Sequence, residues 1–65
     1  MTTDCISKTI KSTAEKIAAY RGRVTDVQLD ALVLGAALAL WSDHSCDGVQ
    51  PFDVEDAIRA ELASL

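Results

Sequence analysis

The sequence of 65 residues contains little glycine, proline, cysteine or aromatic residue. Three glycines and one proline exclude a collagen-like chain or a low-complexity linker, and two cysteines are too few for a scaffold held by several disulfides. Hydrophobic residues nevertheless make up 49% of the chain, which is enough for a buried core and excludes intrinsic disorder. The sequence therefore predicts one small soluble helical domain over residues 1–65 that acts in protein interactions.

Hydrophobic runs long enough to cross a membrane are also missing. The longest run, residues 31–41, is far shorter than the roughly 20 residues that a span needs. Charged residues interrupt the N-terminal segment, so it does not resemble a secretory signal. We therefore expect a cytoplasmic protein, in which thiols stay reduced, with no membrane partner. A helical hairpin that turns near Arg23 would bring Cys5 and Cys46 toward the same end, which leaves a disulfide between them open.

Apolar residues recur at helical spacing in three segments and at strand spacing in none. The pattern predicts an all-α domain of three helices over residues 4–20, 26–42 and 53–64. The start of the middle helix has the clearest signal, because Thr25 followed three residues later by Gln28 matches a capping box.

The middle helix has two apolar faces that point in nearly opposite directions. One face comprises Leu29, Leu32, Val33, Ala36 and Leu40. The other comprises Val27, Ala31, Leu34, Leu38 and Trp41. A helix that is apolar around most of its circumference has to be covered on both sides. The first and third helices each offer one apolar stripe, so they cover one side better than the other.

A second copy of the chain would complete this burial, so we expect a helical homodimer. Ala31, Gly35 and Ala39 recur every four positions, a spacing that lets two helix backbones approach closely. The predicted dimer interface comprises Val27, Ala31, Leu34, Gly35, Leu38 and Trp41. The alternative is a monomer that encloses the middle helix by itself.

Charge is divided unevenly along the chain, whose formal net charge is -4. Residues 1–23 have a net charge of +3 and residues 24–65 a net charge of -7. The acidic part suits a partner with a basic surface, such as a DNA-binding protein. The predicted partner contacts are Trp41, Phe52, Asp53, Glu55, Asp56 and Arg59. Acidic residues near the start of the third helix also fit a purely structural role at the positive end of the helix dipole.

Size and composition together favour a non-enzymatic regulator. We expect a protein that binds and inhibits or sequesters another protein, such as a transcriptional repressor or activator, in the manner of an antirepressor, an anti-activator or a phage-type inhibitor. His44 and Cys46 are too few for a zinc site and lack a third group that would orient them for catalysis. The sequence therefore predicts no metal, no cofactor and no catalytic residue.

Two other functions are kept as alternatives. The segment from Asp43 to Gly48 resembles the opening of an EF-hand calcium loop, with oxygen ligands at Asp43, Ser45 and Asp47, but Val54 stands where a bidentate Glu is required. Nucleic-acid binding would use a basic set on and after the first helix, which comprises Lys8, Lys11, Lys16, Arg21 and Arg23. Direct binding is disfavoured because the whole chain is acidic and repels a phosphate backbone.

Overall fold

The computed structural model of the protein describes residues 4–44 and 48–65. In chain order, the elements are a short 3₁₀ turn at Asp4–Ile6, helix α1 at Ser7–Ala18, helix α2 at Asp26–Asp43 and helix α3 at Pro51–Ser64. The described parts of the chain contain no strand, which confirms the predicted all-α class.

Helix α2 begins where the sequence predicts. The backbone N–H of Gln28 donates to the Thr25 hydroxyl at 3.1 Å, and the backbone N–H of Thr25 donates to the Gln28 side-chain oxygen at 2.9 Å. These reciprocal bonds form the predicted capping box and satisfy donors that a helix start leaves without partners.

Helix α1 ends two residues earlier than the predicted residue 20. The backbone N–H groups of Tyr20 and Arg21 donate to the carbonyls three residues before them, which tightens the chain into turns after Ala18. Gly22 then adopts a φ of 81°, a left-handed conformation that glycine reaches without steric cost.

Helix α3 begins two residues earlier than the predicted residue 53, because Gln50 is its N-cap residue. The backbone N–H of Gln50 donates to the Asp53 carboxylate at 3.0 Å, and the N–H of Asp53 donates to the Gln50 carbonyl at 3.0 Å. Pro51 occupies the first helical position, where its missing N–H costs no hydrogen bond.

Helix α3 is the central helix, since it packs extensively against both α1 and α2, which contact each other less. The described core consists of Ile6, Ile10, Ala14, Ile17, Val33, Ala37, Val49, Val54, Ile58 and Leu62. Only the small residues Val33 and Ala37 represent α2 among these buried positions. The most hydrophobic stretch of the sequence therefore has few fully buried residues and packs on the core mainly through half-buried ones, namely Leu29, Ala36, Leu40 and Trp41.

The expectation of reduced thiols is wrong for Cys5, which is disulfide-bonded. Cys46, the other cysteine of the sequence, lies outside the described residues. The sequence left a disulfide open but could not decide it, because the bond depends on how the folded chain places its ends.

Candidate protein interface

Helix α2 turns one side to the core and leaves the opposite side in solvent. The solvent side, here called the outer α2 face, comprises Val27, Ala31, Leu32, Leu34, Gly35 and Leu38, all of which are exposed. Val27 is 79% exposed, Leu34 46% and Leu38 56%, whereas Val33 on the core side is 1% exposed. Helix α2 therefore has a buried and an exposed side, as predicted, but two residues are exchanged between the predicted faces. Leu32, predicted on the face with Val33, is 37% exposed, and Trp41, predicted on the opposite face, is half-buried.

The outer α2 face is unusual because it contains no charged residue. At 100° per residue, the arc opposite Val33 includes only Gln28 and Ser42 as polar positions. A helix face turned to water normally presents polar or charged side chains. Among the described residues, however, no helix is both long and hydrophobic enough to cross a membrane.

The large and small residues of this face follow a coiled-coil spacing. Val27, Ala31, Leu34 and Leu38 are separated by four, three and four positions. This alternation matches heptad spacing over fewer than two repeats, which is long enough for a short helix-to-helix contact. The signal is present in the sequence and could have been found there from the spacing alone.

Gly35 lies near the middle of the outer α2 face. A Cβ atom added at Gly35 would meet no neighbouring atom within 4 Å among the described residues, beyond the local helix backbone. Glycine inside a helix costs about 1 kcal/mol relative to alanine. The packing of this chain therefore gives no reason for glycine at position 35.

Trp41 differs from the other predicted interface residues, because it is half-buried and packs against the core. Its indole Nε1 donates to the Val49 carbonyl at 2.8 Å. This bond fixes the ring at the boundary between the core and the outer α2 face, so Trp41 already has a structural role in the single chain.

An open groove of about 400 Å³ adjoins the outer α2 face. It lies where the turn after α1 meets the first half of α2, and it is lined by Tyr20, Val24, Gln28, Ala31 and Leu32. Ala31 and Leu32 belong to both surfaces, so groove and face form one continuous apolar region. Sequence analysis did not identify this groove, since Tyr20 and Val24 lie outside the middle helix.

Arg59, one of the predicted partner contacts, is held by two carboxylates of its own chain. Its Nη1 donates to Asp30 at 2.9 Å and its Nε donates to Glu55 at 2.9 Å. The hydrogen bond to Asp30 is the main reason that the pKa of Arg59 is raised above its ordinary value, and the hydrogen bond to Glu55 raises it further. The network joins α3 to α2 and occupies both Arg59 and Glu55.

The remaining predicted partner contacts fall into two groups. Asp53 caps α3 through Gln50, so its carboxylate is occupied. Phe52 is 62% exposed and Asp56, one helical turn further, is also exposed. Among the described residues, the Asp56 side chain has no hydrogen bond or ion pair, which leaves Phe52 and Asp56 accessible to a partner.

The residues of the two alternative functions are only partly brought together. Lys8, Lys11 and Lys16 lie exposed on α1, whereas Arg21 donates to the Leu62 carbonyl near the end of α3. Nucleic-acid binding by the basic set stays a disfavoured alternative.

The calcium loop also stays an alternative, since Ser45 and Asp47 lie outside the described residues. Val54, at the closing position of that loop, is buried in the core. Within residues 4–44 and 48–65 no group of three or more potential metal ligands occurs.

None of the protein-family models, curated proteins or solved structures compared with this chain matches it. Function is therefore inferred from the outer α2 face, the groove and the accessible charges.

Proposed function

We propose that the protein is a non-enzymatic regulator that acts by protein association. The outer α2 face pairs with a second copy, and the dimer binds and inhibits or sequesters a protein with a basic surface, such as a DNA-binding repressor or activator. The observation that carries this proposal is an uncharged apolar helix face left in solvent. Contiguous apolar patches of this kind mark sites of association.

The exposed side chains provide enough free energy for a weak dimer. Full burial of a Val or Leu side chain contributes about 1.5 to 3 kcal/mol. Scaled by their exposed fractions, Val27, Leu32, Leu34 and Leu38 of two copies contribute about 7 to 13 kcal/mol. Association costs about 4 to 15 kcal/mol in lost freedom, so at most about 9 kcal/mol is left, and the dissociation constant is roughly micromolar at the tightest rather than nanomolar.

The charge of α2 and α3 supports a basic partner. Arg59 is the only Lys or Arg after position 23, and it is already paired with Asp30 and Glu55. Asp56 keeps its charge accessible beside Phe52, which combines an aromatic anchor with a carboxylate. Aromatic anchors dominate many binding surfaces, and complementary charge speeds and orients the encounter.

Sedimentation equilibrium over a concentration series tests the self-association. The mass should rise with concentration from 7.0 kDa, the mass of one chain, toward twice that value. Leu38→Glu should remain monomeric because it would bury a charge at the interface. Ser12→Glu adds the same charge to the polar face of α1 and should dimerise normally. A wild-type mass that stays at 7.0 kDa at every concentration contradicts the proposal.

The regulatory part is tested by capture and by a DNA-binding assay. Immobilised wild-type protein should retain a basic DNA-binding protein from the native host, and Asp56→Lys should retain less of it. The captured protein, once purified, should lose DNA binding when the wild-type regulator is added. Undiminished DNA binding in the presence of a stoichiometric excess contradicts inhibition.

Localisation in the cytoplasm stays a prediction, and the disulfide at Cys5 weighs against it. Disulfides persist in oxidising compartments and are rare where glutathione keeps thiols reduced. Alkylation of thiols in intact cells before lysis measures whether Cys5 is oxidised where the protein works.

A further inference from the structure

We propose that the two copies pair along α2 in antiparallel orientation, with Leu38 of each copy opposite Ala31 of the other and Leu34 opposite Gly35. This inference rests on the self-association proposed above and adds its direction and register. The occupant of the outer α2 face is thus a second copy of the same helix.

Complementary side-chain size supports this register. In an antiparallel pair centred between Leu34 and Gly35, three of the four large residues of the face, namely Val27, Leu34 and Leu38, meet a small one, whereas Leu32 lies at the edge of the contact. Leu38 meets Ala31, and Val27 meets Ser42. Helices that place large residues opposite small ones keep a uniform separation and leave no voids.

A parallel pair in register lacks this complementarity. Each residue then meets its own copy, so Leu34 and Leu38 would hold the helices apart while Ala31 and Gly35 leave gaps between them. The glycine, for which the single chain has no packing reason, gains one in the antiparallel pair, because it makes room for Leu34 of the other copy.

Charge at the two ends of α2 supports the same direction. Arg23 precedes the helix and Asp43 ends it; both are exposed, and neither side chain has a partner among the described residues. An antiparallel pair brings Arg23 of one copy toward Asp43 of the other, whereas a parallel pair aligns like charges. Asp26, at the same end as Arg23, is exposed too and lies level with Asp43 of the other copy in this register. Helical periodicity places Asp26 on the core side of α2, whereas Asp43 lies on the flank between the core side and the outer α2 face.

The open groove lies beside the end of this contact. In the antiparallel register, the groove lined by Tyr20, Val24 and Leu32 faces the last turns of the other copy's α2. Burial of this groove would extend the apolar contact beyond the helix itself. A parallel pair would instead bring the two grooves to the same end of the dimer.

Isotope-filtered nuclear Overhauser spectroscopy tests the direction without changing the sequence. In a mixture of labelled and unlabelled protein at concentrations where the dimer forms, we expect contacts between the methyl groups of Leu38 and Ala31 from different copies. Contacts between Val27 methyl groups of the two copies should be absent, since antiparallel pairing separates them by about 22 Å along the helix axis. Intermolecular Val27 contacts would overturn the inference while leaving the proposed dimer in place.

Exchanging the charges at positions 23 and 43 independently tests the contact proposed between the two ends of α2. Arg23→Glu should weaken the dimer by about threefold to tenfold, since two exposed ion pairs are lost, and adding Asp43→Arg should restore it. Failure of the double variant to recover would overturn the Arg23–Asp43 contact. A wild-type chain that stays monomeric throughout would overturn both this inference and the proposed self-association.

Discussion

Replacing glycine by alanine is expected to change the free energy of unfolding in opposite directions at two positions of this chain, Gly35 and Gly22. Gly35 has ordinary helical geometry, and an added Cβ meets no neighbour within 4 Å among the described residues. Gly22 has equally open space but a φ of 81°. Gly35→Ala therefore tests helix propensity alone in the monomer, whereas Gly22→Ala tests backbone conformation.

The magnitudes follow from these two environments. Gly35→Ala should raise the free energy of unfolding of the monomer by about 1 kcal/mol, because alanine is the better helix former. Gly22→Ala should lower it by about 1 kcal/mol, because the left-handed region costs an L-residue roughly 1 to 2 kcal/mol and reduced freedom of the unfolded chain offsets part of that cost. In a domain of this size, 1 kcal/mol corresponds to a melting shift of about 4 to 8 °C.

Circular dichroism during urea denaturation measures both changes, at concentrations where sedimentation shows a monomer. The dimer should respond in the opposite direction from the monomer at Gly35, since the added methyl group would press on Leu34 of the second copy. Gly35→Ala should thus give a more stable monomer and a weaker dimer. Loss of monomer stability in Gly35→Ala would refute the reasoning, because it would show that the single chain itself requires glycine there.

Three further changes examine the core, the disulfide and the ion-pair network. Ile58→Ala, at a fully buried position, should lower the free energy of unfolding by about 2 to 5 kcal/mol in urea denaturation, and a loss well below 1 kcal/mol would contradict its central place. Reduction of the Cys5 disulfide should cost about 2 to 5 kcal/mol, measured with and without reductant; an unchanged midpoint would contradict a stabilising bond. Arg59→Ala should cost at most about 1 kcal/mol and less at high salt, because the side chains of Arg59 and Asp30 are 41% and 62% exposed. Folding raises the pKa of Arg59. Its contribution to the free energy of unfolding is therefore fully present below the unfolded-state pKa and is lost only as the pH rises through the folded-state pKa. An Arg59→Ala effect on stability that differs between neutral and mildly alkaline pH would contradict this.

Local signals predicted the helices and the start of α2 well. The Thr25 capping box lies within four consecutive residues, so the sequence contains all of it. The opposite faces of α2 also follow from periodicity, and the exposure of Leu34 and Leu38 agrees with them. The start of α3 was harder to predict, because either Gln50 or Asp53 can cap a helix that has Pro51 in its first turn.

The features that could not be predicted from the sequence depend on contacts between residues far apart in the chain. Arg59 was predicted as a partner contact, yet it binds Asp30 on another helix, and no spacing rule relates these two positions. Trp41 likewise donates to the carbonyl of Val49, a partner eight positions away that helical periodicity does not predict. The disulfide at Cys5 and the apolar groove depend on tertiary packing in the same way.

The central position of α3 has a consequence for biosynthesis. Ribosomes deliver the chain from its N-terminus, so α1 and α2 emerge before the helix that both of them pack against. Until α3 has been synthesised, the side of α2 that is buried in the folded protein has nothing to pack against. Helices α1 and α2 therefore cannot complete their packing during translation before α3 is available, and an emerged α2 is a hydrophobic segment of the kind that chaperones recognise.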